Sequence, residues 1–251
     1  LRDLGYNFVD FSYEDLLRAD FDLGCKLNGL LITSGALDVK SCQNLIKKDY
    51  PIVTLQHCLP RLYQFHQIIP DLFSAYIKLI AELRKKQFHK LNLLSGCSDT
   101  QQDRRDIFLK AAEYNNFSPQ DIQELIIEDC IPGDLGQLAG YKLGLKALNS
   151  HKKGKVYFVT SDIIACGILN AFMENKLEPL KDFHLISFDN LEEDAQFFPD
   201  KAMISSIDFP KKDIIKRAIK LIEEEISEPS KAKYIIQVPC ELIERETFRY
   251  K

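Results

Sequence analysis

Short apolar runs alternate along the whole chain with longer segments in which apolar residues recur every three or four positions. Within the short runs the apolar residues are consecutive, which is typical of strands covered on both faces. These runs predict strands at 7–10, 29–33, 52–55, 91–95, 124–127, 156–160, 184–188, 204–207 and 234–238. The periodic segments predict helices near 13–25, 38–48, 71–86, 101–115, 135–149, 162–175 and 210–227. This alternation predicts an α/β fold of parallel sheets wrapped by helices, with right-handed crossovers.

The pattern is clearest in the segment 155–190, which is predicted to contain two buried strands and the helix between them. The spacing of Ile164, Ile168 and Phe172 gives that helix one buried face. Each strand is followed by polar residues, Ser161-Asp162 after the first and Asp189-Asn190 after the second. Open α/β sheets bind small ligands at the carboxyl ends of their strands, so these positions predict a ligand site.

Composition narrows the class of protein. The chain has 251 residues, 45% of them hydrophobic and 28% charged, as in ordinary globular proteins with one large or two small domains. The net charge of −4 gives no basic surface for nucleic acid. Seven scattered cysteines predict reduced thiols and a cytoplasmic location, with Cys97 and Cys166 as small buried apolar residues. No apolar run has the length of a membrane span.

Catalytic and cofactor motifs are missing from the sequence. The five histidines lie far apart, and neither a GxGxxG motif nor a P-loop occurs, so we expect no enzyme activity, no metal and no cofactor. Asp162 is interpreted as a helix cap rather than a catalytic acid. The acidic run that begins at Glu193 and the charged segment 223–233 are interpreted as solvated.

A series of short motifs follows the predicted strands in order. They are Asn28-Gly29 before an apolar strand, Pro51-Ile-Val, Phe88-His89-Lys90 before another strand, Arg104 with Phe108 and Ala111, Ser161-Asp162 with Ala165-Cys166-Gly167, Phe188-Asp189-Asn190, and Leu242-Ile-Glu-Arg245-Glu-Thr247. Over nearly the whole chain, this order and spacing resemble the effector-binding domain of the lactose-repressor/galactose-repressor (LacI/GalR) family of bacterial transcription regulators. The chain departs from the family pattern at Phe88 and Ile107, where the family has Gly, and at Asn28, where it has Asp.

The resemblance implies the periplasmic-binding-protein-like fold, with two doubly wound parallel-sheet lobes joined by three crossovers. The first lobe would comprise 1–88 and 208–231, and the second 89–207 and 232–251. Family members have a further strand and most of a helix before a Gly-Tyr like Gly5-Tyr6, preceded by a helix-turn-helix domain. We therefore expect the first strand and the DNA-binding domain to lie upstream of Leu1, or the exposed edge of the first sheet to pair with another chain.

The resemblance also implies a set of ligand-binding residues, for which polyhydroxyl ligands suit charged and multi-donor side chains. The guanidinium of Arg104 would donate hydrogen bonds to the ligand, and Arg105 would take this role if the register were shifted by one residue. Asp189 would accept hydrogen bonds from ligand hydroxyls. Ser161 replaces the family's Asn, and Gln56 replaces an acidic residue, which predicts a different effector preference. Thr100 and Asp71 complete the set, although a turn or helix-capping role is the simpler interpretation of both.

The expected function is therefore that of the effector-binding and dimerisation domain of a sugar-responsive transcription regulator. A small polyhydroxyl effector would bind between the lobes of a cytoplasmic homodimer and alter operator binding through the upstream domain, with no membrane partner. The alternative is the solute-binding protein of a sugar transporter, which uses the same fold.

Overall fold

The computed structural model describes residues 6, 7, 9, 27–33, 39–56, 62–127, 136–191 and 203–250. The helix predicted at 13–25 and the acidic run at Glu193 lie outside the described residues. Of the predicted strand 7–10 only Asn7 and Val9 are described, and neither belongs to a strand. The chain forms two compact units, Leu1–Ile69 with Lys212–Gln237 and Pro70–Lys211 with Val238–Lys251. It passes from one unit to the other three times, as expected.

The first unit is built on a four-stranded sheet. Its strands are β1 (Leu30–Ile32), β2 (Ile52–Leu55), β3 (His66–Asp71) and β9 (Ile235–Pro239), in the order β1-β2-β3-β9, and the pairs β1–β2 and β2–β3 are parallel. The described helices are α1 (Val39–Leu45) and most of α6 (Lys211–Ser227). Leu30, Ile32, Leu45, Ile52 and Leu62 are among the buried residues of its core.

The second unit has a six-stranded sheet in the order β10-β8-β7-β6-β4-β5. The strands are β4 (Leu91–Ser95), β5 (Ile122–Ile126), β6 (Lys155–Val159), β7 (Phe183–Phe188), β8 (Ser205–Asp208) and β10 (Glu241–Ile243), and only the β10–β8 pair is antiparallel. The described helices are α2 (Leu72–Lys85), α3 (Asp99–Tyr114), α4 (Gln137–Leu148) and α5 (Asp162–Glu174). Strands β4, β6 and β7 are almost wholly buried, as their consecutive apolar residues predict. The expected α/β class with parallel sheets is confirmed.

The division into units differs from the expected lobe boundaries at 88 and 231, because α2 groups with the second unit. Helix α2 packs against α3 and β10. The fully buried ring of Tyr76 in α2 contacts the rings of Phe108, Phe158 and Phe188 at centroid distances of 5.6, 5.1 and 6.5 Å. This aromatic cluster makes α2 part of the second unit's core.

The sequence suggests that the charged segment 223–233 is solvated, but part of this segment is buried. Glu225 is buried, and its carboxylate lies 3.2 Å from Nε2 of the buried His66 and 3.7 Å from Nζ of Lys233. The Nδ1 atom of His66 accepts a hydrogen bond from the Tyr234 N–H at 3.3 Å. A buried carboxylate is tolerated here because it is paired and hydrogen-bonded.

Candidate functional site

Three neighbouring parallel strands of the second unit end beside one another. Strands β4, β6 and β7 end at Ser95, Val159 and Phe188, and β6 pairs with both of the others. The Thr160 hydroxyl, just after β6, donates to the Ser95 hydroxyl at 3.2 Å. Asp189 follows β7 directly. The strand order therefore gathers polar groups that lie far apart in the sequence.

Arg104 and Asp189, both predicted site residues, form an ion pair at these strand ends. Nη2 of Arg104 donates to Oδ1 of Asp189 at 2.7 Å, and Nη1 donates to the Thr160 carbonyl oxygen at 2.7 Å. The guanidinium carbon also lies 4.3 Å from the centroid of the Phe188 ring, which attracts a cation through its π face. The arginine is held on three sides in a fixed orientation.

The position of Arg104 follows from the helix that carries it. Helix α3 begins after Ser98, whose hydroxyl accepts from the Gln101 N–H at 3.4 Å. Arg104 is 8% exposed, and burial by itself would lower its pKa, but the neighbouring Asp189 more than compensates, so the pKa is raised. The guanidinium is therefore charged at any working pH and can act as a permanent hydrogen-bond donor.

Asp162 is buried beside this pair and is not the N-cap of its helix. The N-cap of α5 is Ser161, and Asp162 is the first helical residue. The carboxylate of Asp162 instead accepts from the hydroxyls of Ser187 and Ser206 and, at 2.7 Å, from the Leu191 N–H. It thus joins the start of α5 to β7, β8 and the chain after β7, a structural role that replaces the expected capping role.

The remaining predicted residues occupy several places. Thr100 is half-buried in the first turn of α3, and Ser161 is 6% exposed and makes no side-chain cap bond. Asp71 caps α2, accepting from the Ser74 N–H at 3.2 Å. Gln56, which belongs to the first unit, follows β2 with a φ of 79°. The structure thus brings Arg104 and Asp189 into contact, and the ligand roles of all six residues stay predictions.

Arg105, the alternative to Arg104, is engaged elsewhere. Its Nε lies 3.0 Å from Oε2 of Glu124 in β5. Neighbouring residues on a helix point about 100° apart, which explains why only one of the two arginines reaches Asp189. The observed register favours Arg104.

Sequence reasoning missed a second polar group next to the site. Nη2 of Arg245 donates to the side-chain oxygen of Asn190 at 2.6 Å, and Nδ2 of Asn190 donates to Asp208 at 3.0 Å. Phe188 was also overlooked as the ring beneath Arg104. The only signal for these roles was that Phe188, Asn190 and Arg245 occur within quoted motifs, since no spacing rule connects them.

The cysteines correct one expectation. Cys97, expected to be a buried thiol, is half-buried and disulfide-bonded. Cys42, Cys166 and Cys240 are not disulfide-bonded, and burial raises the pKa of the Cys240 thiol to about 12. The prediction of reduced thiols is therefore wrong for Cys97.

The described residues can also be compared with the requirements for a membrane span and for a metal site. Within the described part of the chain, no helix combines the length and the apolar character needed to span a membrane. The same residues contain no group of three or more His, Cys, Asp and Glu side chains that could hold a metal ion.

Fold and site together define an α/β domain with buried, charged hydrogen-bonding groups at its strand ends. Residues 80–248 match the model of the periplasmic binding protein-like domain family. The chain belongs to this family, and its similarity to LacI-type regulators agrees with the resemblance seen in the sequence.

Among curated proteins, the chain is 29% identical over 144 residues to the HTH-type transcriptional regulator MalR of Clostridium butyricum. It is 28% identical over 144 residues to the HTH-type transcriptional repressor PurR of Serratia proteamaculans. Each match covers 57% of this chain and 40% of the relative, so the chain matches well under half the length of these relatives.

Solved structures show the same fold. A LacI family transcriptional regulator from Enterococcus faecium with bound ribose has a TM-score of 0.70 at 17% identity, covering 88% of this chain and 79% of that one. A periplasmic binding protein/LacI transcriptional regulator from Alkaliphilus metalliredigens, complexed with D-xylulofuranose, has a TM-score of 0.67 at 18% identity, covering 88% and 77%.

Proposed function

We propose that this chain is the effector-binding part of a sugar-responsive bacterial transcription regulator and that it catalyses no reaction. The names of the curated relatives are those of transcription regulators, and two of the similar structures hold ribose or D-xylulofuranose. These observations support a small polyhydroxyl ligand as the effector.

The observation that carries the proposal is the Arg104–Asp189 ion pair over Phe188. A guanidinium has five N–H donors, and two of them are used in the bonds to Asp189 and Thr160. The carboxylate of Asp189 retains acceptor capacity, and its side chain is 16% exposed. A ligand with vicinal hydroxyls would donate to Asp189 and accept from Arg104, through charge-assisted hydrogen bonds. The ring of Phe188 would keep the Arg104 guanidinium in position when the ligand binds.

Four other residues have proposed supporting roles. Ser161 and Thr100 would add hydroxyl contacts from the second unit. Gln56 and Asp71 are proposed as further ligand contacts, with Gln56 able both to donate and to accept. The regulator would act as a homodimer in the cytoplasm and bind operator DNA through a separate domain.

A thermal-shift screen of this chain against pentoses, hexoses, sugar phosphates, nucleosides and purines would test the proposal. A ligand that binds only the folded state raises the melting temperature by mass action. We expect a sugar to do so, and we expect the shift to vanish in Arg104→Ala and in Asp189→Ala. Arg105→Ala is the matched control, because it removes the same side chain one residue away, where Arg105 pairs with Glu124.

Three results would contradict the proposal. The first is a shift that survives both Arg104→Ala and Asp189→Ala. The second is an equal loss of the shift in Arg105→Ala, which would indicate a general effect of charge. The third is stabilisation by purines alone, which would replace the sugar with a different effector class. Circular dichroism of each variant would establish that a lost shift does not reflect unfolding.

The expected alternative, a solute-binding protein of a sugar transporter, is not favoured. Its fold would be the same, but the names of the curated relatives MalR and PurR are those of regulators.

A further inference from the structure

A cavity of about 390 Å³ lies in the second unit, lined by Lys86, Phe88, Leu180, His184 and Arg249. His184 is the second residue of β7, and Asp189 follows the last residue of the same strand. The cavity is therefore at the opposite end of β7 from the Arg104–Asp189 pair. Its volume falls within the range of about 300–1,000 Å³ that is typical of small-molecule sites.

The charge of the lining favours an anion. The lining contains two basic side chains, Lys86 and Arg249, and no carboxylate. In the described part of the chain, the Lys86 ammonium has neither an ion-pair nor a hydrogen-bond partner. Arg249 donates from Nη2 to Glu246 at 3.1 Å and from Nε to the Arg245 carbonyl oxygen at 3.2 Å. A guanidinium has five donors, so Arg249 retains some for a ligand.

His184 contributes an aromatic environment to the cavity and has a polar atom without a hydrogen-bond partner among the described residues. Its imidazole stands edge-on to Phe88 at a centroid distance of 5.0 Å and to Phe248 at 5.9 Å. Its Nδ1 is buried and has no hydrogen-bond partner among the described residues, whereas buried polar atoms are nearly always hydrogen-bonded. Burial, followed by the charge of Lys86, lowers the pKa of His184.

We propose that this cavity binds an aromatic organic phosphate no larger than a mononucleotide. The phosphate oxygens would accept from Lys86 and Arg249, the combination of a point charge and a planar fork that suits phosphate. The ring would pack against Phe88 and Leu180. This site does not depend on the proposed effector site, since the two have no residue in common.

Isothermal titration of the chain with phenyl phosphate, inorganic phosphate and benzyl alcohol would test the site. We expect phenyl phosphate to bind at least about tenfold more tightly than either single-feature probe. Lys86→Gln and Arg249→Gln should each weaken its binding by about tenfold. Lys85→Gln is the matched control, because the exposed Lys85 pairs with Glu82 at 2.5 Å and does not line the cavity.

Several outcomes would overturn the proposal. The proposal of an aromatic organic phosphate is wrong if phenyl phosphate does not bind at millimolar concentration. It is also wrong if phenyl phosphate binds no better than inorganic phosphate. Equal weakening by Lys85→Gln would show a response to net charge alone. Loss of phenyl phosphate binding in Arg104→Ala would place the anion at the proposed effector site. Retained phenyl phosphate binding in Arg104→Ala, by contrast, would support this site whether or not the effector proposal holds.

Discussion

Asp189 is held in a backbone conformation that residues other than glycine rarely adopt. Its φ is 119°, and that of Gln56, at the end of β2, is 79°. Such strain costs about 1–3 kcal/mol and persists only where the surroundings fix it. The Asp189 N–H donates to the Ile207 carbonyl oxygen at 3.2 Å, and the carboxylate is held by Arg104. Strain at two of the predicted ligand residues agrees with a functional role for these strand ends.

Asp162 gives the second unit a pH dependence of defined sign. Burial raises its pKa to about 6, above the ordinary 3.8, although its three hydrogen bonds act in the opposite direction. Since the folded state binds this proton more tightly than the unfolded state, the stabilisation is complete below about pH 4 and is lost as the pH rises through about 6. We expect wild type to lose on the order of 2–3 kcal/mol of unfolding free energy relative to Asp162→Asn over this interval.

Urea unfolding at a series of pH values would measure this difference. Asp106→Asn is the control, since Asp106 is exposed in α3, and its profile should parallel that of wild type. A profile for Asp162→Asn that also runs parallel to wild type would show that Asp162 is already ionised across the interval.

The sequence could identify individual residues at the site but not their partners. Arg104 and Asp189 were found through motifs, yet 85 residues separate them, and no local spacing predicts a contact over that distance. The network of Asp162 was missed for the same reason, because Ser187 and Ser206 lie 25 and 44 residues away. An Asp at the start of a helix predicts a capping role. The Asp162 carboxylate instead makes tertiary hydrogen bonds to Ser187, Ser206 and Leu191.

At the scale of elements, the Ala-x-Gly motif of α5 has a steric explanation. Helices α4 and α5 approach so closely that a Cβ on Gly167 would lie 2.0 Å from the Gln137 carbonyl oxygen. On the facing helix, a Cβ on Gly140 would lie 2.2 Å from the Ile164 carbonyl oxygen. Both obstacles are backbone atoms, so no side-chain rotation can relieve them. The glycines therefore set the distance between the two helices.

Gly167→Ala should destabilise the protein by at least about 2 kcal/mol, because overpacking a close contact costs about 1–3 kcal/mol and often more where backbone must move. Helix propensity alone predicts the opposite sign, a gain of about 1 kcal/mol. Asn170→Ala on the same helix is the control, since Asn170 is exposed and its substitution should stay within about 0.5 kcal/mol. Unfolding in urea distinguishes the two signs, and a stabilised Gly167→Ala would refute the packing argument.

The closing motif that ends at Thr247 joins two strands of the second sheet. The buried Thr247 hydroxyl donates to the Leu185 carbonyl oxygen of β7 at 2.7 Å and accepts from the Ser205 N–H of β8 at 2.8 Å. Thr247→Val keeps the shape but leaves both backbone groups without this partner, which should cost about 2–3 kcal/mol of unfolding free energy. Thr247→Ser retains the hydroxyl and should recover most of the loss. A loss in Thr247→Ser with none in Thr247→Val would mean that the methyl group, not the hydroxyl, matters.

Most elements could be predicted, and the exceptions have local causes. Strand β7, predicted at 184–188, is Phe183–Phe188, and helix α5, predicted at 162–175, is Asp162–Glu174. Strand β3 was missed because its run begins with His66 and Gln67 and contains Pro70, a residue that argues against a central strand. Strand β10 has three residues, of which the first is Glu241, so it contains no run of consecutive apolar residues like that of β1.

At the scale of the whole molecule, strand and helix alternation predicted the parallel α/β class, and the family motifs predicted two units joined by three crossovers. The residues at which the units divide could not be predicted. They depend on where α2 packs, and that is decided by the cluster around Tyr76, whose partners Phe108, Phe158 and Phe188 come from three other elements. The spacing of apolar residues predicts that a helix forms, but it does not predict which unit the helix packs against.

The regulatory role that we propose requires a thermodynamic coupling that the full-length protein must show. If the effector changes the affinity for operator DNA by some factor, operator must change the affinity for effector by the same factor. We expect a factor of about 5–150, the usual range of such couplings, in either direction. Titration of the effector into full-length protein, with operator duplex and with a scrambled duplex of equal length, would measure it. Equal effector affinities in both titrations would exclude the coupling while leaving effector binding intact, because binding without a difference between two states shifts no equilibrium.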